Sequence, residues 1–215
     1  AVRIQGWFET PGNKVEWFEF ADGSHLGASD VEALLAVQGI QLEGDSSDEL
    51  LEGTEGADLI RGNGGRDTIC GHGGDDQLFG GEGSDLLVGN GGDDWLDAGT
   101  GDDSYLFTPG DGQDTLVDAQ GVDAVRFAPG IDPGNLVLSR DANDLIAQYA
   151  SNDELLIRNW FESPDRRIEQ FLFADGGVLT DQRIDAAFAE DPVRYRGSAL
   201  DEVVVFPFDD PVRAC

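Results

Sequence analysis

The chain has 215 residues, room for one or two domains. Lys+Arg is 13 against an Asp+Glu count of 44, so the net charge is −31. That excludes a nucleic-acid binder working through phosphate contacts, and it repels itself in a compact state unless something neutralises it. No apolar run reaches ~18 residues, so no transmembrane segment is expected. The two cysteines, Cys70 and Cys215, are too few for a disulfide framework, and neither is expected to have a role. There is no methionine, so Ala1 is not expected to be a translation start, and the sequence is expected to be a piece of a longer protein.

In chain order, residues 2–26 are an aromatic-rich segment, VRIQGWFETPGNKVEWFEFADGSHL. Ser29 with Glu32 then forms a capping box, and Val31, Leu34 and Leu35 supply the apolar face of a short helix. Residues 44–118 hold 19 of the 30 glycines and 19 acidic residues, against only Arg61 and Arg66. This block reads in nines: GTEGADLIR (53–61), GNGGRDTIC (62–70), GHGGDDQLF (71–79), GGEGSDLLV (80–88), GNGGDDWLD (89–97) and AGTGDDSYL (98–106). GDSSDELLE (44–52) is a degenerate leader, and PGDGQDTLV (109–117) a degenerate trailer.

Beyond the block, 122–127, 136–139, 144–149, 155–161 and 167–173 read as strands, with DAND (141–144) as a turn. Thr180 opens a short helix to about Ala189. Residues 155–179, LLIRNWFESPDRRIEQFLFADGGVL, repeat 2–26 at an offset of 153, with 12 of 25 positions identical. The same offset relates Gly44, Asp48 and Glu49 to Gly197, Asp201 and Glu202. The segments therefore divide as the end of a preceding unit (1–43), a glycine-rich block (44–118), a β-rich cap (119–190) and the start of a next unit or a disordered tail (191–215). Trp7, Trp17 and Trp160 fall in the repeated segments, where an apolar lid is expected to close a stack of thin coils.

A period of nine suits a coil in which a six-residue turn feeds a three-residue strand. If strands alternate between two sheets, one coil spans 18 residues. Position eight (Ile60, Ile69, Leu78, Leu87, Leu96, Tyr105) then faces inward, and position seven (Leu59, Thr68, Gln77, Leu86, Trp95, Ser104) outward. Position six is always aspartate: Asp58, Asp67, Asp76, Asp85, Asp94 and Asp103. Glycines at positions one, two and four permit positive φ, which turns successive carbonyls toward one point. Calcium wants about six to eight oxygens at roughly 2.3–2.6 Å. One turn cannot supply them; two stacked turns can, with about two carbonyls and one carboxylate each. The pairs expected are Asp58/Asp76, Asp76/Asp94, Asp67/Asp85 and Asp85/Asp103, which makes four calcium sites. Glu49/Asp67 and Asp94/Asp114 are end sites. The backbone of Gly62, Gly64, Gly71, Gly73, Gly80, Gly89 and Gly91 is the candidate carbonyl source.

These nonapeptides resemble the RTX (repeats-in-toxin) haemolysin-type calcium-binding repeats. Residues 103–173 are similar to the flanks of RTX blocks in adenylate cyclase toxin and large RTX adhesins. Ala98, Thr54 and His72 depart from the repeat. The resemblance implies an all-β fold: a right-handed parallel β-roll holding calcium in its turns, with a β-rich C-terminal cap and short helices. It also implies export by type I secretion machinery to the extracellular space or cell surface. The expected function is a calcium-triggered folding switch and spacer of a secreted protein, acting as a monomer. The alternative is an adhesion or receptor-binding module whose cap meets a host-surface ligand. No nucleophile elbow, Walker loop or HExxH occurs, so catalysis is not expected. His72 has no second ligand for zinc, and the Asp-Pro pairs at 132–133, 191–192 and 210–211 read as turns rather than cleavage sites.

Overall fold

The computed structural model describes residues 17–19, 25–27, 38–118, 120–190 and 194–196. The helix expected after Ser29 lies outside them. A two-stranded antiparallel sheet, β1 (Trp17–Glu19) with β2 (His25–Gly27), comes first. The glycine-rich block contributes β3 (Gln41–Glu43), β4 (Leu50–Glu52), β5 (Leu59–Gly64), β6 (Thr68–Gly73), β7 (Gln77–Glu82), β8 (Leu86–Gly91), β9 (Trp95–Thr100), β10 (Ser104–Phe107) and β11 (Gln113–Val117). After it come β12 (Ala124–Phe127), β13 (Val137–Asp141), β14 (Asp144–Gln148), β15 (Glu154–Ile157), β16 (Gln170–Phe173), β17 (Val178–Thr180), α1 (Asp181–Glu190) and β18 (Arg194–Arg196).

Successive strands of the block alternate between two sheets, so the chain is a parallel β-solenoid of the β-roll type. β3, β5, β7, β9 and β11 run side by side in one sheet; β4, β6, β8, β10 and β12 do so in the other. Pairing is parallel and steps by one 18-residue coil: Ile60 faces Leu78, which faces Leu96, and Ile69 faces Leu87. The strands are longer than the three residues the period suggests. β5 to β9 run for six, because Asn63 and Gly64 pair onward with Gly81 and Glu82 as well. A turn repeated identically above itself can continue the ladder, so positions one to three join the strand.

Position eight forms the core as expected: Ile60, Ile69, Leu78, Leu87, Leu96 and Tyr105 are all 0% exposed. Each such side chain is worth ~1.5–3 kcal/mol of burial. Gln77 and Trp95 at position seven are exposed. Cys70, expected to have no role, is buried in β6 and disulfide-bonded.

Neither sheet stops at residue 118. β12 takes β16 on its far side and β11 takes β15, both in parallel, so the cap prolongs the two sheets of the roll. The sheets then close with antiparallel strands: β17 on β16, and β14, β13 and β18 beyond β15. The expected turn at 141–144 is a two-residue loop with Ala142 at φ 52°. The strand expected over 155–161 ends at Ile157, where Asn159 turns at φ 59° and donates its N–H to Asp144 Oδ1. That turn sends Trp160 into the core at 0% exposure, 6.0 Å from Phe171. Phe107, Phe127, Tyr149 and Phe173 complete the aromatic packing. Leu42 and Leu51, at the other end of the core, are only partly buried.

The 153-residue repeat reappears in register. Phe18 faces Leu26 in β1–β2, and Phe171 faces Leu179 in β16–β17. β3 and β18 occupy equivalent positions at the same offset.

Candidate metal centre

The position-six aspartates form two columns, one along each edge of the roll. Every one of the six is at most 3% exposed. In one column Asp58 N–H donates to Asp76 Oδ1 and Asp76 N–H to Asp94 Oδ1, each at 2.8 Å. In the other, Asp67 N–H donates to Asp85 Oδ1 at 2.8 Å and Asp85 N–H to Asp103 Oδ1 at 2.7 Å. The four 18-residue pairs read from the sequence are therefore adjacent.

The second carboxylate oxygen has a different fate. Oδ2 of Asp67, Asp76, Asp85, Asp94, Asp103 and Asp114 is buried and accepts no hydrogen bond. A buried carboxylate oxygen without a partner is costly. Burial accordingly pushes the carboxyls of Asp76, Asp94 and Asp103 up to about 7, and neighbouring aspartates add to the rise. Asp114 is pushed up to about 8 by the same causes. Asp67 and Asp85 are raised as well, by burial first.

Backbone oxygens share the space these atoms face. A methyl on Gly62 would lie 2.3 Å from Asp67 Oδ2 and 2.7 Å from the Gly80 carbonyl oxygen of the next coil. The same cradle recurs at Gly71, with Asp76 Oδ2 and Gly89 O, and at Gly80, with Asp85 Oδ2 and Ala98 O. Position one is therefore glycine for want of space, not for positive φ. The left-handed conformation falls instead on positions two and four: Asn63, His72 and Asn90 take φ of 74°, 77° and 64°, and Gly83 takes 134°. A methyl on Gly83 would also lie 1.6 Å from Gly65 O, so position-four carbonyls aim at the coil above. Bare carboxylate oxygens and carbonyls thus converge between stacked turns, which is the donor set a hard divalent cation requires.

The two ends differ. Asp58 Oδ2 accepts hydrogen bonds from the N–H and the hydroxyl of Thr54, so in the pair Asp58/Asp76 only Asp76 carries a bare oxygen. Glu49 Oε2 accepts Asp45 N–H at 2.9 Å. Asp94 N–H meets Asp114 Oδ1 at 3.1 Å across a longer step of 20 residues, and both Oδ2 atoms are bare. Gly91 O accepts the Gly74 N–H at 2.9 Å, while Gly73 and Gly64 lie in the paired ends of β6 and β5.

Sequence reasoning missed three members. Asp103 N–H donates to Asp123 Oδ1 at 2.8 Å, and Asp123 N–H to Glu169 Oε2 at 2.7 Å. Asp118 lies beside Asp103 and Asp123. The signal was present as DAQGVD (118–123), a nonapeptide turn with aspartate at positions one and six, but it stands two residues out of phase.

Stacked glycine turns lined with buried carboxylates define a calcium-binding β-roll. The family comparison agrees. The RTX calcium-binding nonapeptide repeat (4 copies) matches residues 43–78 and 71–105. The haemolysin-type calcium binding protein related domain matches 1–30 and 145–183, the two places where the 153-residue repeat falls. The chain thus carries RTX calcium-binding repeats over residues 43–105, flanked by segments similar to the haemolysin-type calcium binding protein related domain. No curated protein gives a significant match to it.

Proposed function

We propose that residues 44–118 are disordered without calcium and fold into the roll on meeting it outside the cell, in a secreted protein exported by type I secretion machinery. The observation that carries this reading is the row of six buried Oδ2 atoms with no partner. Without a cation these buried oxygens have no partner, although Oδ1 of each same carboxylate accepts a backbone N–H. The 19 acidic residues of the block repel one another. Each coil buries few aliphatic groups in return, so the unfolded chain is favoured. Bound calcium supplies positive charge and a point on which oxygens converge. The unfolded chain offers no such site, so affinity for the ion becomes folding free energy.

The ligand set we assign is Asp67/Asp85, Asp85/Asp103, Asp76/Asp94 and Asp94/Asp114, each pair contributing two bare oxygens. Asp58/Asp76 is a weaker fifth, with one. Carbonyls of Gly62, Gly71, Gly80 and Gly89 complete the shells. Extracellular calcium modules work at about 10⁻⁴–10⁻³ M. Cytosolic calcium is far lower, so the chain passes an exporter unfolded and acts as a folded spacer outside. The role is binding and folding rather than catalysis. Of the other buried acids, Asp111 accepts from Thr108 and Asp153 from Gly110.

Far-UV circular dichroism during calcium titration of chelated protein tests this. A cooperative coil-to-β transition near millimolar calcium, absent with magnesium, is expected. A fully folded spectrum in excess chelator would refute the switch.

A further inference from the structure

Asp118 and residues 120–123 lie against the turn 98–103 as part of a further coil. Gly101 N–H donates to Gln120 O at 3.0 Å, Thr100 bridges Gln120 in parallel, and Asp103 N–H donates to Asp123 Oδ1. This turn differs from those beneath it, because Asp118 stands at the position that Gly62, Gly71, Gly80 and Gly89 hold below. One carboxylate oxygen each of Asp103, Asp118 and Asp123 lies within 4.8 Å of the others. The three residues are 1%, 2% and 2% exposed. Asp103 Oδ2 is buried and accepts no hydrogen bond.

We propose that Asp103, Asp118 and Asp123 form a three-carboxylate cation site at the seam between roll and cap. It takes a calcium-sized divalent ion, binds it more tightly than the two-carboxylate sites below, and fills first. The proposal rests on the calcium reading of the columns and adds a member that their period does not contain. Affinity in oxygen-ligand sites rises with the number of charged ligands, and here three carboxylates replace two. The location gives early filling a consequence. Asp123 N–H is held by Glu169 Oε2, and β12, which starts at Ala124, pairs with β16 of the cap. Ordering this turn joins the roll to a surface already closed by aromatic packing, from which further coils can stack.

Tyr105 provides a built-in reporter. It is 0% exposed, its hydroxyl accepts Ala98 N–H at 3.2 Å and donates to Val117 O at 3.5 Å, and Val117 immediately precedes Asp118. The test is a titration of the chelated full chain with terbium(III), with emission sensitised through protein aromatics. It is repeated on Tyr105→Phe, Asp118→Gly and Asp118→Asn. Asp118→Gly restores the repeat's own residue, and Asp118→Asn keeps the shape while removing the charge.

The first equivalent of terbium is expected to give Tyr105-dependent emission that calcium displaces. Both Asp118 variants should need about tenfold more ion for that phase. Emission from the first equivalent that survives Tyr105→Phe, or an Asp118→Asn titration matching the parent, would overturn the proposal. Circular dichroism on the same samples separates the two readings. A calcium transition with no Asp118 effect defeats this site alone; no transition in the parent defeats the calcium switch.

Discussion

Asp76, Asp85, Asp94 and Asp103 each divide the carboxylate between two tasks. Oδ1 ties its coil to the one before it by accepting an aspartate N–H, and Oδ2 faces the space between turns. Asp85 stands between Asp67 and Asp103, so it serves both pairs. Asp85→Ala is expected to lower calcium stoichiometry by two in isothermal titration and to raise the folding midpoint about tenfold. A titration matching the parent would refute the 18-residue pairing of sites. Glycines divide as sharply. Gly83→Ala places a methyl 1.6 Å from Gly65 O at a φ of 134°, and a loss of at least ~3 kcal/mol is expected. At Gly91 a methyl meets nothing within 4 Å, so Gly91→Ala should stay within about 1 kcal/mol of the parent. Calcium midpoints of the two variants measure the contrast.

On the scale of the coil, the columns make stability depend on pH in a definite direction. Burial raises the carboxyls of Asp76, Asp94 and Asp103 from an ordinary 3.8 to about 7, and that of Asp114 to about 8. The metal-free folded roll therefore binds more protons than the unfolded chain, and its stability falls as pH rises. That contribution is complete below about 3.8 and is lost as pH passes through about 7 to 8. Chelated protein should gain β-structure as pH drops from 8 toward 4, while calcium affinity weakens over the same range because protons compete for Oδ2. Circular dichroism with and without chelator separates the two trends. Constant ellipticity of the chelated protein across that range would refute the assignment.

The coil was largely legible in the sequence, because a period of nine repeated six times leaves one register that keeps Ile60, Leu78 and Leu96 in one row. Asp58 was legible as a column member but not as one already bonded, since Thr54 reveals its hydrogen bonds only once the turn is closed. Asp118, Asp123 and Glu169 were hidden because the step lengthens from 18 to 20 and then to 46 residues, and no period connects them.

Over the whole molecule the two ends of the solenoid are unlike. The cap end is sealed by Trp160, Phe171 and Phe173, all 0% exposed, while the inward-facing Leu42 and Leu51 at the opposite end are only partly buried. Trp160→Ala is expected to cost ~3–5 kcal/mol and to raise the calcium needed for folding, because the coils then stack on a loosened surface. Hydrogen exchange in β9 to β12 at fixed calcium reports the effect. Protection equal to the parent's would mean that the roll folds without help from the cap.

The sequence by itself determined the repeat, the inward row of aliphatic residues, the aspartate columns and the alternation of strands between two sheets. Those follow from short-range periodicity, where each coil predicts the next. Only the tertiary structure decided that the cap prolongs both sheets, that Asp114 rather than Asp58 completes a pair of bare oxygens, and that Asp118 and Asp123 join Asp103. These depend on pairings across insertions of irregular length, which packing and backbone hydrogen bonding select.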